Sequence, residues 1–488
     1  MAKEKDEKGI TVKKEADMPE WYGQVVVKSQ LADYSPIKGC MVIRPRGYAI
    51  WQKITDKLNF LIQSKGVQNA YFPLFIPESF FKKEAEHAKG FSPEVAWIAG
   101  KEEGERLAIR PTSETIIYDS YSKWIRSWRD LPLKMNQWCN IVRWEVSDVK
   151  LFLRSREFLW QEGHCVYATE KECEDEALGY LDDYRKVSEE LLAVPVLLGQ
   201  KTEKEKFAGA KKTFTIEGFM PDGKALQMGT SHNLGQGFAK AFGINYTDNE
   251  EKSQLPWQNS WGISTRMIGA VVMTHSDDKG IVLPPLLAEN KLVIIPIIFE
   301  ESKDKVLAEC KSLAKKLKEF SPILDDRDEY TSGWKYNQYE LIGVPLRVEL
   351  GPKDLEKKQV VVVRRDTGKK EFVPQTDLSH RITEILSTMQ KEMLESARKR
   401  LKEATLEVAD WKGFLKVINN RKLVLATFCG EENCEEEIKT KTGGATSRCI
   451  PLSWLGQSES QKQKDLAGKK CVHCGSNAKV NCYFAKNY

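Results

Sequence analysis

Arg143, Glu145 and Arg154 fall within one twelve-residue stretch, RWEVSDVKLFLR. A guanidinium is planar and permanently charged, and it matches phosphate oxygens two at a time better than lysine does. Two arginines on adjacent antiparallel strands, joined by a loop around Ser147–Lys150, would clamp an α-phosphate and an adenine face. Glu145 would accept a hydrogen bond from an adenine amino group. Taken alone, a charged hairpin of this kind is more often plain surface. Two other segments add weight. In IRPTSET, residues 109–115, Thr112 and Glu114 can face a small cationic group, with the Glu114 carboxylate set against a protonated amine. In WGISTRMIG, residues 261–269, Arg266 follows a glycine and can stack on a purine or reach a terminal phosphate.

The chain that must position these groups has 488 residues, which predicts about three domains. Hydrophobic residues make up 41% and charged residues 30%, enough for real cores and a wet surface. No apolar run is long enough for a membrane span, and the first twenty residues carry no apolar signal core. They read as a solvated tail. The net charge of +5 does not by itself argue for nucleic acid.

After the tail, residues 21–285 form an aromatic-rich block. Leu292–Phe299 then reads as a buried strand and Lys303–Phe320 as a helix. Pro322–Asp325, Val344–Leu350 and Gln359–Arg364 read as strands, with a helix at Trp334–Ile342. The alternation predicts a small, mainly parallel α/β domain over 286–404. One amphipathic helix is expected from Asp377 to about Lys416, with Ile382, Leu386, Met389, Met393 and Leu401 on its apolar stripe. Lys201–Lys206 and Ser458–Lys464 read as exposed loops.

The remaining segment, 405–488, reads as a separate cysteine-bearing unit. Eleven cysteines without a signal sequence argue for free thiols or metal ligands. Cys429 and Cys434 pair locally, as do Cys471 and Cys474, and the spacing suits a closed tetrahedral zinc site of structural type. His473 could replace one thiolate. Cys449 and Cys482 are left over. Buried free thiols are the bland alternative.

The segments around Arg143, Arg154 and Arg266 resemble motifs 2 and 3 of class II aminoacyl-tRNA synthetases. Tyr71–Pro77 resembles motif 1, the dimer-forming element. The strings RPTSET, RSREFLWQEGH, MGTSHNLGQGFAKAFGI and QNSWGISTRMIG are similar to the prolyl-tRNA synthetase family of the archaeal and eukaryotic-cytosolic type. The resemblance spans nearly all of the chain after the tail. It implies an α+β catalytic domain built on an antiparallel sheet flanked by helices, a small α/β anticodon-binding domain and a C-terminal zinc-binding-like α+β domain.

It also implies roles. Thr112, Glu114 and Arg143 would hold proline, with Phe158 and Trp160 walling the ring and His164 and His232 alongside. Arg143, Glu145, Arg154, Ser155, Gln227, Thr230, Ser264 and Arg266 would bind ATP, with Gln227 near Mg²⁺. Arg143, Arg154 and Arg266 would be the catalytic cations. Zn²⁺ would sit on Cys429, Cys434, Cys471 and Cys474. Expected partners are L-proline, ATP, tRNA(Pro), a second copy of the chain as a homodimer and, in this family, a multi-synthetase complex. A cytoplasmic location and no membrane contact are expected. Arg347, Glu349, Lys353, Arg364 and Arg365 are candidate anticodon readers. Two departures stand out. Thr265, not glutamate, precedes the motif 3 arginine, and the second cysteine pair is C-V-H-C. Only about 60 residues separate His164 from Gln227, which leaves no room for the editing domain of bacterial-type relatives. The rival readings are a synthetase for another amino acid, a catalytically inert RNA-binding paralogue and a zinc-ribbon nucleic-acid binder.

Overall fold

The computed structural model describes residues 9–87, 94–100 and 104–488. The tail's first eight residues lie outside these. Residues 9–17 are not simply solvated: Lys14 donates to the carbonyls of Met273 and Ser276, at 2.9 and 3.0 Å. Helix α1 (Met18–Lys28) follows, capped by Asp17, and buries Trp21, Tyr22, Val25 and Val26. Helix α2 (Pro45–Gln63) turns Ile50, Trp51, Ile54, Leu58 and Ile62 to the same core.

An eleven-stranded sheet organises the molecule. Seven strands come from the first part of the chain: β1 (Gln68–Asn69), β2 (Leu133–Val142), β3 (Glu157–Tyr167), β4 (Leu197–Gln200), β5 (Lys212–Phe219), β6 (Lys224–Gly235) and β7 (Trp257–Ser264). From the middle outward they run β4, β5, β6, β7, β3, β2, β1, antiparallel except for the last pair. Helix α3 (Glu114–Trp124) follows the RPTS turn. Helix α4 (Glu170–Lys186) opens on a capping box between Thr169 and Glu172. Its Tyr180 ring stacks on Trp261 of β7 at 4.0 Å. Opposite Trp261 lies Gly163, where a Cβ would meet the indole at 2.1 Å, so only glycine lets the ring lie flat there. Helix α5 (Arg266–His275) leaves β7 through Thr265.

The second unit carries strands β8 (Leu292–Pro296), β9 (Ile323–Leu324), β10 (Leu346–Leu350), β11 (Gln359–Arg364) and β12 (Lys370–Pro374), with helices α6 (Lys303–Lys316) and α7 (Ser332–Leu341). The mainly parallel sheet expected there is mixed. β9 and β10 flank β8 in parallel, but β10, β11 and β12 form an antiparallel meander. The short connections after β10 and β11 cannot make parallel crossovers, which need a dozen residues or more.

Helix α8 runs Leu378–Ala404, with Ile382, Leu386, Met389 and Met393 buried. It stops short of the expected end near Lys416. Thr405 turns extended and opens strand β13 (Thr405–Val408). Asp410 then caps a separate helix, α9 (Trp411–Asn419), by accepting from the Gly413 amide at 2.8 Å.

The 405–488 segment is not detached from the large sheet. Strands β13, β14 (Leu423–Phe428), β16 (Val480–Asn487) and β15 (Ala445–Pro451) extend it in that order, and β15 pairs with β4. Helix α10 (Glu432–Thr442) packs on β15. Gly199 of β4 accommodates the crossing, since a Cβ there would lie 2.4 Å from that of Cys449. Ser458–Lys464 is exposed as expected, though helical over Glu459–Leu466. No helix of the described residues is long and apolar enough to cross a membrane.

Candidate active site

β3 carries Phe158, Trp160, Glu162 and His164 at every second position. A strand turns such residues to one face. They face a cleft of about 290 Å³ completed by Thr112 and Glu114 from the start of α3, Gln227, Thr230 and His232 from β6, and Ser264 and Arg266 from the β7–α5 junction. Arg143 enters at the end of β2. Its guanidinium carbon lies 5.7 Å from the Phe158 ring centre and 5.9 Å from that of Trp160.

The cleft has a buried acidic end. Glu162 accepts from Gln137 at 2.9 Å and from Ser113, and meets His164 Nε2 at 3.0 Å. Tyr118 Oη is 3.1 Å from His164 Nδ1. Thr112 donates to the Glu114 carboxylate. Burial opposes charge on His164, but the Glu162 hydrogen bond and the nearby Glu114 carboxylate prevail and hold its pKa above the ordinary value. His232 is the opposite case. Burial, aided by repulsion from His164, pushes its pKa down to about 3. The Thr213 hydroxyl accepts the Phe207 amide at 3.0 Å and lies 3.0 Å from His232 Nδ1. His232 is therefore neutral at pH 7 and shares one hydrogen bond with Thr213 through Nδ1.

The other end is cationic. Arg266 donates to the Gln227 carbonyl at 3.0 Å and to the Leu153 carbonyl at 3.1 Å. Burial, together with the neighbouring Arg143, lowers its pKa to about 10, so it remains charged at neutral pH. These two arginines supply fixed positive charge where a polyphosphate can lie. Among the described residues, no hydrogen bond ties down the Gln227 side-chain amide, which leaves one neutral oxygen for a hard cation.

Eleven of the residues proposed from the sequence line this one cleft: Thr112, Glu114, Arg143, Phe158, Trp160, His164, Gln227, Thr230, His232, Ser264 and Arg266. Glu145, Arg154 and Ser155 do not. They lie on the connection between β2 and β3, where Glu145 and Arg154 are exposed and Ser155 is buried. The two hairpin arginines thus sit beyond and between the paired strands, not within them. Glu162 is a cleft residue not among those proposed from the sequence, although its alternation with Trp160 and His164 is visible in WQEGH. Nor is Lys201–Lys206 the exposed loop expected. Lys201 and Thr202 are buried, and Glu205 and Phe207 line the cleft.

The cysteine groups converge as expected. The sulfurs of Cys429, Cys434, Cys471 and Cys474 all lie within 4.8 Å of one another, and Cys434 and Cys471 are 3.7 Å apart. A tetrahedron with metal–sulfur bonds of about 2.3 Å has edges of about 3.8 Å, so the donor set fits a soft divalent ion. His473 Nδ1 stands beside the cluster, 3.3 Å from Cys434. Cys449 and Cys482 are buried in β15 and β16, outside it.

Arg365 does not present itself for base reading. Its guanidinium holds Asp277 with two bonds of 2.7 and 2.8 Å, tying the second unit to the end of α5. Arg347 is engaged by Glu349 at 2.7 Å and Glu340 at 3.2 Å.

A sheet of this kind, with an arginine at the end of one strand and another opening the helix that leaves the sheet, defines a class II aminoacyl-tRNA synthetase core. Residues 95–275 match the family model "tRNA synthetase class II core domain (G, H, P, S and T)". Residues 291–385 match "Anticodon binding domain" and residues 411–488 match "Prolyl-tRNA synthetase, C-terminal". A "Proline--tRNA ligase" from Natranaerobius thermophilus is 48% identical over 497 residues, covering all of both chains. One from Lachnoclostridium phytofermentans is 49% identical, covering 97% of each. The crystal structure of prolyl-tRNA synthetase from Cryptosporidium parvum, complexed with L-proline and AMP, superposes with a TM-score of 0.91 at 42% identity, covering 98% of this chain and 97% of that one. A second structure of that protein, with halofuginone and AMPPNP, has the same TM-score at 43% identity. The chain belongs to the prolyl-tRNA synthetase family.

Proposed function

We propose that this chain joins L-proline to tRNA(Pro) in two ATP-driven steps. The observation that carries this reading is the single cleft with a carboxylate and aromatic end and a cationic end. Proline's ammonium meets Glu114, its ring meets Phe158 and Trp160, and its carboxylate points towards Arg143. A carboxylate oxygen attacks the α-phosphorus of ATP, the bond to the bridging oxygen breaks, and pyrophosphate leaves. A terminal ribose hydroxyl of the tRNA then attacks the acyl carbon, and AMP leaves. Arg143 and Arg266 neutralise charge that develops on the phosphates, and the cleft holds the reacting groups in line. Arg154 and Glu145 are assigned to ATP on the adjoining loop, with Ser155, Thr230 and Ser264. No protein nucleophile is required. Bound Mg²⁺ would add charge neutralisation at the phosphates, with Gln227 as the residue beside it. Zn²⁺ on the four cysteines would be structural, since four ligands leave no open position. The relatives' names and the ligands in the Cryptosporidium parvum structures support the substrate assignment.

We assign three domains, a catalytic core over 21–285, anticodon binding over 286–404 and the cysteine unit over 405–488, after a tail of 1–20. Homodimerisation is assigned to the motif 1 segment, where Tyr71 is 71% and Phe75 47% exposed. Membership of a multi-synthetase complex and a cytoplasmic location rest on the family alone. Lys353, Arg364 and the Arg347–Glu349 ion pair remain the anticodon-reading candidates. Editing in cis is not expected. Residues 168–223, between β3 and β6, are spent on α4, β4, the cleft loop and β5.

Amino-acid-dependent ATP–pyrophosphate exchange across all twenty amino acids tests this reading. Proline should give the highest rate and alanine a lower but measurable one, because a pocket rejects smaller side chains weakly. Preference for threonine, serine, glycine or histidine would overturn the assignment. Hydrolysis of alanyl-tRNA(Pro) by the purified chain would contradict the absence of editing.

A further inference from the structure

The cleft loop, residues 201–207, is gripped from behind by the C-terminal unit, none of whose residues line the cleft. Three separate contacts make the grip. Lys201 is buried and ion-paired to Glu217 at 2.6 Å, and the same carboxylate accepts from Arg448 of β15 at 2.8 and 3.1 Å. The Thr202 hydroxyl lies 3.1 Å from the Ser447 hydroxyl, which donates to Glu435 of α10. Lys204 is ion-paired with Glu436, the next residue of α10.

Thr202 is the pivot of the loop. Its carbonyl accepts from the amides of Glu205 and Lys206, at 3.2 and 3.0 Å. Movement of Thr202 therefore moves Glu205, which lines the cleft. Phe207 is tied to the same frame through Thr213 and lies 4.8 Å from His232, ring centre to ring centre. Ser447, Glu435, Thr202, Lys201, Glu217 and Arg448 are all nearly inaccessible to water. Polar groups buried this deeply hold discrete arrangements, because a half-made network leaves desolvated groups without partners.

We propose that Ser447 and Arg448, with Glu435 and Glu436, are positioning residues for the cleft loop, so that the C-terminal unit sets the affinity of an amino-acid pocket it does not touch. This rests on the functional reading above for the identity of the amino acid. Glu217 and Arg448 also act on the charge of Arg266, whereas the Ser447 and Glu436 contacts reach only the loop that lines the half of the cleft beside His232. Loss of those two contacts is therefore selective for the amino acid over ATP.

The test uses the full chain with Ser447→Ala and Glu436→Gln combined. Both changes are small and Glu436 is exposed, and a melting curve of each single variant shows whether the loss of the buried Ser447 hydroxyl is confined to the loop. In the exchange assay, proline KM should rise about five- to tenfold, as expected for two lost polar contacts, with ATP KM and kcat within twofold of wild type. Trypsin should cut after Lys204 and Lys206 faster than in wild type, and saturating proline should restore protection. Arg448→Lys retains a cation and should show a smaller shift than Arg448→Met. Equal rises in both KM values, or unchanged proline KM with unchanged cleavage, would overturn the proposal. If the wild-type chain proves to activate another amino acid, the cleavage rates still decide whether the grip orders the loop.

Discussion

Arg143→Ala should lose about 10²–10³ in the rate of adenylate formation, or about 2.7–4 kcal/mol of transition-state stabilisation. Its melting curve should overlay that of the wild type. The second expectation follows from what Arg143 touches. The Arg143 amide donates to the Arg156 carbonyl at 2.7 Å, and that backbone bond survives the substitution. The side chain is exposed and approaches the rings of Phe158 and Trp160 only at cation–π range. Arg266 would be a poorer probe, since its guanidinium also holds two backbone carbonyls and its loss would disturb the fold. Arg143→Lys should recover only part of the rate, because an ammonium lacks the planar fork. Single-turnover adenylate formation, read beside thermal unfolding, checks both expectations. A normal rate in Arg143→Ala would remove it from the chemistry.

Glu217→Ala should cost about 3–5 kcal/mol of stability, the usual penalty for stranding buried charges. Glu217 is fully buried and faces Lys201 and Arg448, both of them also buried. Its removal leaves two desolvated cations where β4, β5 and β15 meet. The pH dependence has a definite sign. Burial alone would raise the Glu217 pKa, but Arg448 and Lys201 outweigh it and hold the carboxyl below its usual 4.5. The unfolded chain thus binds this proton more readily than the folded one. The advantage of wild type over Glu217→Ala is therefore complete above pH about 4.5 and shrinks as the pH falls through the folded-state pKa. Replacing all three charges by Lys201→Met, Glu217→Leu and Arg448→Met should recover much of the loss, since an apolar trio strands no charge. Denaturant unfolding of these variants at neutral and acid pH measures the effect. A loss below 1 kcal/mol for Glu217→Ala would show that the triad is not a cohesive joint.

Much of the cleft was legible in the sequence because its groups are dictated by chemistry and carried on short, ordered strings. Phe158, Trp160 and His164 alternate along β3, and alternation survives folding as a shared face. Glu162 obeys the same alternation, but a lone glutamate in a charged hairpin carries no distinguishing mark. The 201–206 stretch was misread for the opposite reason. Five of its six residues are charged, which ordinarily means solvent, yet Lys201 is neutralised by Glu217 and Lys204 by Glu436. Partners that far along the chain leave no local trace. The over-long reading of helix α8 has a local cause. The apolar period continues past Ala404, but pairing with β14 draws Thr405–Val408 into the sheet. A different pairing, of β15 with β4, makes the cysteine unit, which reads as a separate module, a continuation of the catalytic sheet.

The most direct measurement of the central claim is charging of a tRNA(Pro) transcript with labelled proline by the purified chain, in the presence of ATP and Mg²⁺. ATP-dependent prolyl-tRNA is expected, and it is lost when the 3′-terminal adenosine is removed. Efficient proline-dependent pyrophosphate exchange without any charging, or charging of that transcript with another amino acid in preference to proline, would contradict that claim.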